Sequence, residues 1–211
     1  MAAGNPRKAR IETLFASSLY RGKLKATAAL NRELEAACLS TAAEDKAGRR
    51  WCREHGYKGY TSYASLDDLP RRASVFADLA GQLDTHARGF ARALDFGLAG
   101  RKLALDSLWI NVLKPGGHHT GHIHPHSVLS GTYYVRVPAG AGAIRFEDPR
   151  LAMMMAAPPR RRTARLANRS FVEVAPEAGT VLMWESWLRH EVPANGGRAA
   201  RISISFNYAL R

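Results

Sequence analysis

The chain carries eight histidines, and five of them, His118, His119, His122, His124 and His126, fall inside one stretch, GGHHTGHIHPHSVLSGTYYV. Imidazole is the commonest protein metal ligand near neutral pH. In an extended segment alternate side chains face the same way, so HIHPH sets His122, His124 and His126 on one side. Pro125 removes a ladder donor and places the piece at a strand end or a sheet edge. Two imidazoles at i and i+2 can grip one ion, and a third ligand must come from elsewhere. The other histidine of the C-terminal half is His190, in ESWLRHEVPAN. A pair from an early strand and a histidine from a late one gives a three-ligand face with open positions, the layout of a mononuclear iron site. A structural zinc site would be closed and usually built with cysteines. Cys38 and Cys52 lie far from the cluster and have no metal-type spacing. Two frames stay open, His122 with His124 or His124 with His126. Adventitious binding of nickel or zinc by a histidine-rich loop is the plainer rival.

A second set of residues points to an anion. Arg201 and Ser203 alternate onto one face of the segment RISISFN. A guanidinium deep in a sandwich needs an anion, and a planar carboxylate fits its fork; a surface arginine on a half-exposed strand is the alternative. Ser130, Thr132 and Tyr134 share one face of the strand after the histidines, where the Tyr134 hydroxyl could donate to the same carboxylate. A plain core tyrosine explains Tyr134 nearly as well.

These groups need a scaffold, and the chain changes character near residue 100. Before it, the pattern is helical. TAALNRELEAACL, from Thr27 to Leu39, has an apolar stripe of Leu30, Leu34, Ala37 and Cys38. Residues 74 to 96 repeat Phe76, Leu79, Leu83, Phe90 and Leu94 at helical spacing, with Ser74 as the expected cap. His86 on that helix reads as a surface or core-edge residue. The intervening YKGYTSYASLDDLP is turn-like. After Gly100, short β-branched and aromatic runs bounded by Gly, Pro or Asn read as strands: 105–114, 130–138, 142–149, 170–176, 179–186 and 201–210. Strands at this spacing suggest a sandwich or jelly roll, with the helices packed on one face. The expected organisation is one domain, 1–211, with a mostly helical layer over 1–100 and a β core over 101–211.

With 211 residues, 46% of them hydrophobic and 23% charged, the composition is that of a globular protein. No apolar run approaches the ~20 residues of a membrane span, and the first twenty residues lack the apolar core of a secretion signal. Two cysteines without a disulfide pattern suit a reduced, cytoplasmic protein. The net charge of +13 is dominated by arginine and is densest in PPRRRTARLANR, residues 158 to 169. An anionic partner would explain it. A solvated loop in an arginine-rich chain is the plainer account, and nothing beside it resembles a zinc finger or an RNA-binding signature, so nucleic acid is not favoured. A homodimer is compatible with the sequence but not required by it.

Taken in order, HIHPHSVLSGTYYV, IRFEDPR, ESWLRHEVPAN and RISISFN resemble the 2-oxoglutarate/Fe(II) oxygenases that carry an H-x-H-P-x-S-x-L-S-G-x-Y-Y-V segment. IETLFASSLY and GYTSYASLDDLPRRASVFADL extend the likeness over almost the whole chain. The resemblance implies a mainly β fold with N-terminal helices, a double-stranded β-helix (cupin-like jelly roll) with a helical buttress. It implies Fe(II) as cofactor, 2-oxoglutarate as cosubstrate and molecular oxygen as co-reactant. By position, His122, His124 and His190 match the metal ligands, and Arg201 with Ser203 matches the group that holds the far carboxylate of 2-oxoglutarate. Tyr134 falls where related hydroxylases place a cosubstrate-binding tyrosine. Asn111, in WIN, lies on an earlier strand able to line the pocket. Ser130 and His126 fall behind the ligands or towards the substrate. One departure stands out: most such enzymes use H-x-D, and here the third position is His124. Glu147, Asp148 or Glu185 could supply a carboxylate, though no spacing demands it.

The expected activity is hydroxylation of an unidentified substrate with release of succinate and carbon dioxide. A cupin-like metalloprotein that ignores 2-oxoglutarate is one rival, since HIH, PEAG and HEVPAN partly echo cupin motifs, although the usual cupin glutamate after HIH is missing. A non-catalytic basic binding protein is another.

Overall fold

The computed structural model describes residues 10–211; residues 1–9, on which the reading of the N-terminus partly rests, lie outside the described residues. The chain runs β1 (Leu19–Lys23), α1 (Thr27–Glu44), α2 (Lys46–Glu54), β2 (Gly59–Thr61), α3 (Leu69–Arg72) and α4 (Ser74–Ala93). It continues with β3 (Leu103–Leu113), β4 (His119–His122), β5 (Leu129–Arg136), β6 (Ile144–Glu147), β7 (Phe171–Val174), β8 (Thr180–Glu185), β9 (His190–Val192) and β10 (Arg201–Leu210). A six-stranded sheet in the order β1-β8-β5-β10-β3-β2 faces a four-stranded sheet in the order β4-β9-β6-β7, and the pairings are antiparallel. This is the expected jelly roll with helices on one face.

The large sheet is covered on both sides, and that explains its sequence. A strand buried on both faces reads as a nearly continuous run rather than an alternation, and seven of the eight residues of β5 are buried. On β10 the two faces still differ in kind. Ile202, Ile204, Phe206 and Tyr208 join the core under the helices, with Leu34, Phe76, Leu79 and Leu83. Arg201, Ser203, Ser205 and Asn207 point the other way, into the space between the sheets. A second apolar cluster fills the rest of that space, with Leu113, Tyr134, Ile144, Phe146, Leu182 and Trp184. Leu79, Leu83 and Ile204 are fully buried, each contributing on the order of 2 kcal/mol by removal of apolar surface from water.

Three local expectations are corrected. The turn-like stretch before α3 contains a strand, β2, which pairs with β3; long-range hydrogen bonding, not local propensity, makes it extended. Gly59 is needed there, with φ at 144°, because a Cβ would sit 2.0 Å from the Val112 carbonyl oxygen. Ser74 is the first helical residue of α4 rather than its cap: Ala73 precedes the helix, and no side chain caps it. The first helix runs five residues past Leu39 to Glu44, since STAAE contains no breaker, and Asp45 then serves as the N-cap of α2 by accepting from the Gly48 N–H. Among the described residues no helix is long and apolar enough to cross a membrane.

Candidate active site

A cavity of about 760 Å³ opens between the sheets. Its floor is the polar face of β10, from Arg201 to Asn207, flanked by β3 and β5 through the register pairs Ser203 with Asn111 and with Tyr134, and Ser205 with Trp109 and with Thr132. At ~3.3 Å per residue that floor is about 20 Å long. Its roof comes from β4, β9 and the HIHPH segment.

Three imidazoles converge on the cavity. Ligand-capable nitrogens of His122, His124 and His190 lie within 4.8 Å of one another, and no carboxylate joins them among the described residues. β4 is the edge strand of the small sheet and ends at His122, which stands opposite His190, the first residue of β9. The chain beyond His122 stays pinned, since the His124 N–H donates to the Ser186 carbonyl. His124 lies parallel to His190, with ring centroids 5.3 Å apart. The turn that begins at Pro125 then carries His126 away, leaving it exposed at the cavity rim and outside the three-histidine cluster. Glu147 and Asp148 are engaged elsewhere, with Arg189 and Arg150.

The histidines have the chemistry of metal ligands. The Nδ1–H of His122 donates to the Thr120 carbonyl at 2.7 Å, and that of His190 to the Leu188 carbonyl at 2.9 Å. A carbonyl can only accept, so each ring carries a proton on Nδ1, which leaves Nε2 as the atom able to face an ion. Burial, reinforced by the neighbouring His122, holds His190 down to about 3 and His124 to about 4, so both rings are neutral donors at neutral pH. Three imidazole nitrogens suit iron, nickel, copper or zinc.

At the far end of the floor Arg201 is buried and lacks an ion pair among the described residues. Its Nη1 donates to the Gly142 carbonyl at 3.1 Å, while its Nε has no partner. Burial pulls its pKa below the ordinary arginine value, a cost that an anion in the cavity would relieve. The guanidinium lies 5.8 Å from the Tyr134 ring. Burial pushes the Tyr134 hydroxyl up to about 12, so it remains a donor. Ser203 is buried beside both.

Asn111 lines the cavity and donates to Ser205 at 3.1 Å. Ser130 stands behind the wall: it donates to the Asn207 side-chain Oδ1 and meets Ser186, each at 2.8 Å. Asn207 in turn holds Ser107 through its amide at 3.0 Å and reaches His124.

Sequence reasoning missed several cavity residues. Ser205 and Asn207 were within its reach, because they continue the alternation of Arg201 and Ser203. Trp184 was not. Its ring stands edge-on to His190 at 4.6 Å, and its buried Nε1–H has no partner. Nor were Tyr57 and His119 recognised as a pair. The Tyr57 hydroxyl meets His119 Nε2 at 3.0 Å, and burial followed by the charge of Arg201 holds His119 down to about 3. His119 therefore belongs to the cavity wall.

Residues 107–207 match the model of the family described as "Putative 2OG-Fe(II) oxygenase". Over the whole fold the chain is similar to a prolyl-4-hydroxylase from Pseudomonas putida, with 19% identity, a TM-score of 0.61, and 92% of this chain and 94% of that one covered. It is also similar to SnoN, a non-heme epimerase of nogalamycin biosynthesis solved with Fe3+, alpha ketoglutarate and nogalamycin RO: 15% identity, a TM-score of 0.61, and 92% of this chain and 79% of that one. HygX from Streptomyces hygroscopicus, solved with nickel and 2-oxoglutarate, gives 14% identity, a TM-score of 0.57, and 92% and 82%. At these identities the likeness is one of fold. None of the curated proteins matches the chain in sequence.

Proposed function

We infer that this chain is a 2-oxoglutarate- and Fe(II)-dependent oxygenase, a reading supported by the family match of residues 107–207, that it holds its iron on His122, His124 and His190, and that it hydroxylates a group presented at the cavity mouth. The observation that carries this reading is the pairing of two features in one cavity: the three-imidazole cluster and a buried, incompletely satisfied Arg201. The H-x-H-P-x-S-x-L-S-G-x-Y-Y-V segment supports placing the chain in the branch of the family that carries it. Two free, buried cysteines suit a reducing, cytoplasmic setting.

The residues divide the work as follows. His122 and His190 present Nε2 to the ion, each oriented by a backbone carbonyl at its other nitrogen. His124 completes the face, steadied by Asn207 and by stacking on Trp109 at 5.9 Å. Arg201 receives the far carboxylate of 2-oxoglutarate through the face of its fork that Gly142 leaves free. Tyr134 and Ser203 donate hydroxyls to the same carboxylate, and Tyr134 stays protonated to do so. Iron and 2-oxoglutarate, when bound, would supply the oxidising power: oxidative cleavage of the keto acid to succinate and carbon dioxide would place one atom of molecular oxygen in succinate, and the other would go to the substrate. The polar ladder of Ser205, Thr132 and Asn207 is left to face substrate.

Anaerobic addition of Fe(II) and then 2-oxoglutarate should produce a weak visible charge-transfer band, and admission of oxygen should produce succinate. Folded protein that shows neither would sink the reading. The cupin-like alternative predicts that metal binds but that neither 2-oxoglutarate nor Arg201→Ala changes anything measurable.

A further inference from the structure

The strands β6 and β7 are joined by an excursion, residues 148–170, that the proposed reaction does not use. It contains six arginines, Arg150, Arg160, Arg161, Arg162, Arg165 and Arg169, with no lysine and a single acidic residue, Asp148. Asp148 is taken by Arg150, and Arg169 is tied to the Ala164 carbonyl at 2.8 Å. The other four arginines are exposed, and none forms an ion pair among the described residues. The excursion is shaped by two short 3-10 turns, Leu151–Met153 and Leu166–Asn168.

Its position gives the charge a meaning. Phe146 of β6 stands opposite His190, and Glu147 pairs with Phe171 at the root of the excursion. The excursion that carries the arginines therefore leaves the small sheet at the end where the three histidines converge. Bordering the same cluster, Tyr63 is 63% exposed at the cavity mouth and stands edge-on to Trp109, with ring centroids 5.3 Å apart. Guanidinium forks match phosphate oxygens two at a time, and exposed aromatic faces accept unpaired bases.

We propose that Arg160, Arg161, Arg162 and Arg165 dock the phosphate backbone of a single-stranded nucleic acid beside the cavity mouth, with the exposed Tyr63 receiving a base. Exposed Met153 and Met155 on the same excursion would suit an anionic bilayer instead, and the test separates the two. Docking goes beyond the oxygenase reading and needs neither metal nor cosubstrate, so it is measured on metal-free protein and fails or stands apart from that reading.

A fluorescent mixed-sequence 20-nucleotide RNA and its DNA counterpart are titrated with the protein at several salt concentrations. Vesicles of phosphatidylcholine, with and without phosphatidylserine, are sedimented with it in parallel. Single strands should bind, and the logarithm of affinity should fall against the logarithm of salt with a slope of about −3, the value for roughly four neutralised phosphates on a single strand. Replacing the four arginines together by serine should weaken binding about 100-fold at 100 mM salt and flatten the slope. Tyr63→Ala should cost about tenfold at unchanged slope, the size of one lost stacking contact. A control removing Arg32, Arg88, Arg92 and Arg101 from the helical side should change affinity less than threefold. Circular dichroism checks that each variant is folded. The proposal is overturned if single strands do not bind at 50 mM salt, if the control weakens binding as much as the excursion variant, or if only phosphatidylserine vesicles are retained.

Discussion

A neutral set of three imidazoles leaves a bound divalent ion with its full charge, whereas one carboxylate would cancel a unit of it. The difference should appear in metal preference. Carboxylate ligands suit manganese and imidazoles suit nickel, so His124→Asp should raise the ratio of manganese to nickel affinity by about tenfold, read from competition titrations. An unchanged ratio would mean that His124 does not touch the ion. Arg201 allows a second test at the same scale. Arg201→Met should weaken 2-oxoglutarate about 100-fold, since a charge-assisted pair contributes roughly 1.5–3 kcal/mol, while leaving metal affinity within a factor of two. Arg201→Lys should recover only part of the loss, because an ammonium lacks the fork. Arg201 and Ser203 were legible in the sequence because alternation along a strand decides which side chains share a face; His124 was legible by its i+2 spacing from His122, although it lies just past the end of β4. Tyr57 and His119 were not legible. They are far apart in the chain and meet only because β2 runs beside β3 and sets Tyr57 against the start of β4.

Asp45 shows how much one residue can organise among the elements. It ends α1, caps α2 through the Gly48 N–H, and accepts hydroxyls from Ser65 at 2.5 Å and Tyr60 at 2.9 Å, the latter on β2. Asp45→Ala removes the cap and strands the buried Tyr60 hydroxyl, so it should destabilise the chain by about 1–2 kcal/mol in denaturant unfolding. The pH dependence follows with a definite sign. Burial, the largest single influence, would raise the Asp45 pKa, but the Gly48 N–H and the two hydroxyls together outweigh it and hold it below its ordinary value. A carboxylate depressed in the folded state contributes stability that is complete above its unfolded pKa of about 3.9, and that stability is lost as pH falls through the lower folded value. The gap between wild type and Asp45→Ala should therefore be constant from pH 7 to about 5 and close below about 4. A gap that widens on acidification would contradict the hydrogen-bonded carboxylate. Element type was legible wherever periodicity was long, as in α4 and β10. It failed for β2, three residues whose extended shape comes from pairing alone, and at Ser74, where a good capping residue sits one position inside the helix.

At the scale of the whole molecule, the cavity works against the stability of the ligand-free chain. Its walls bury Arg201 Nε and Trp184 Nε1 without partners, and each such group costs about 1–3 kcal/mol when left unmet. The helical layer and both apolar clusters must hold this arrangement open, which is consistent with a large sheet buried on both faces. Ligands that satisfy those groups should therefore stabilise the entire fold and not merely the site. For binding to the folded state alone, the gain is about 2.7 kcal/mol at a ligand concentration of 100 Kd. In a domain of this size about 1 kcal/mol moves the melting temperature by roughly 2–4 °C. Nickel(II) with 2-oxoglutarate under air, a pairing chosen to allow binding without turnover, should accordingly raise the melting temperature by roughly 5–10 °C, and a chelator should reverse it. His190→Ala should abolish the shift due to both compounds. Arg201→Met should retain the shift due to nickel and lose the increment due to 2-oxoglutarate. If His190→Ala kept the full shift, the metal would be bound elsewhere, and His118, His119 and His126 would be the histidines to test next.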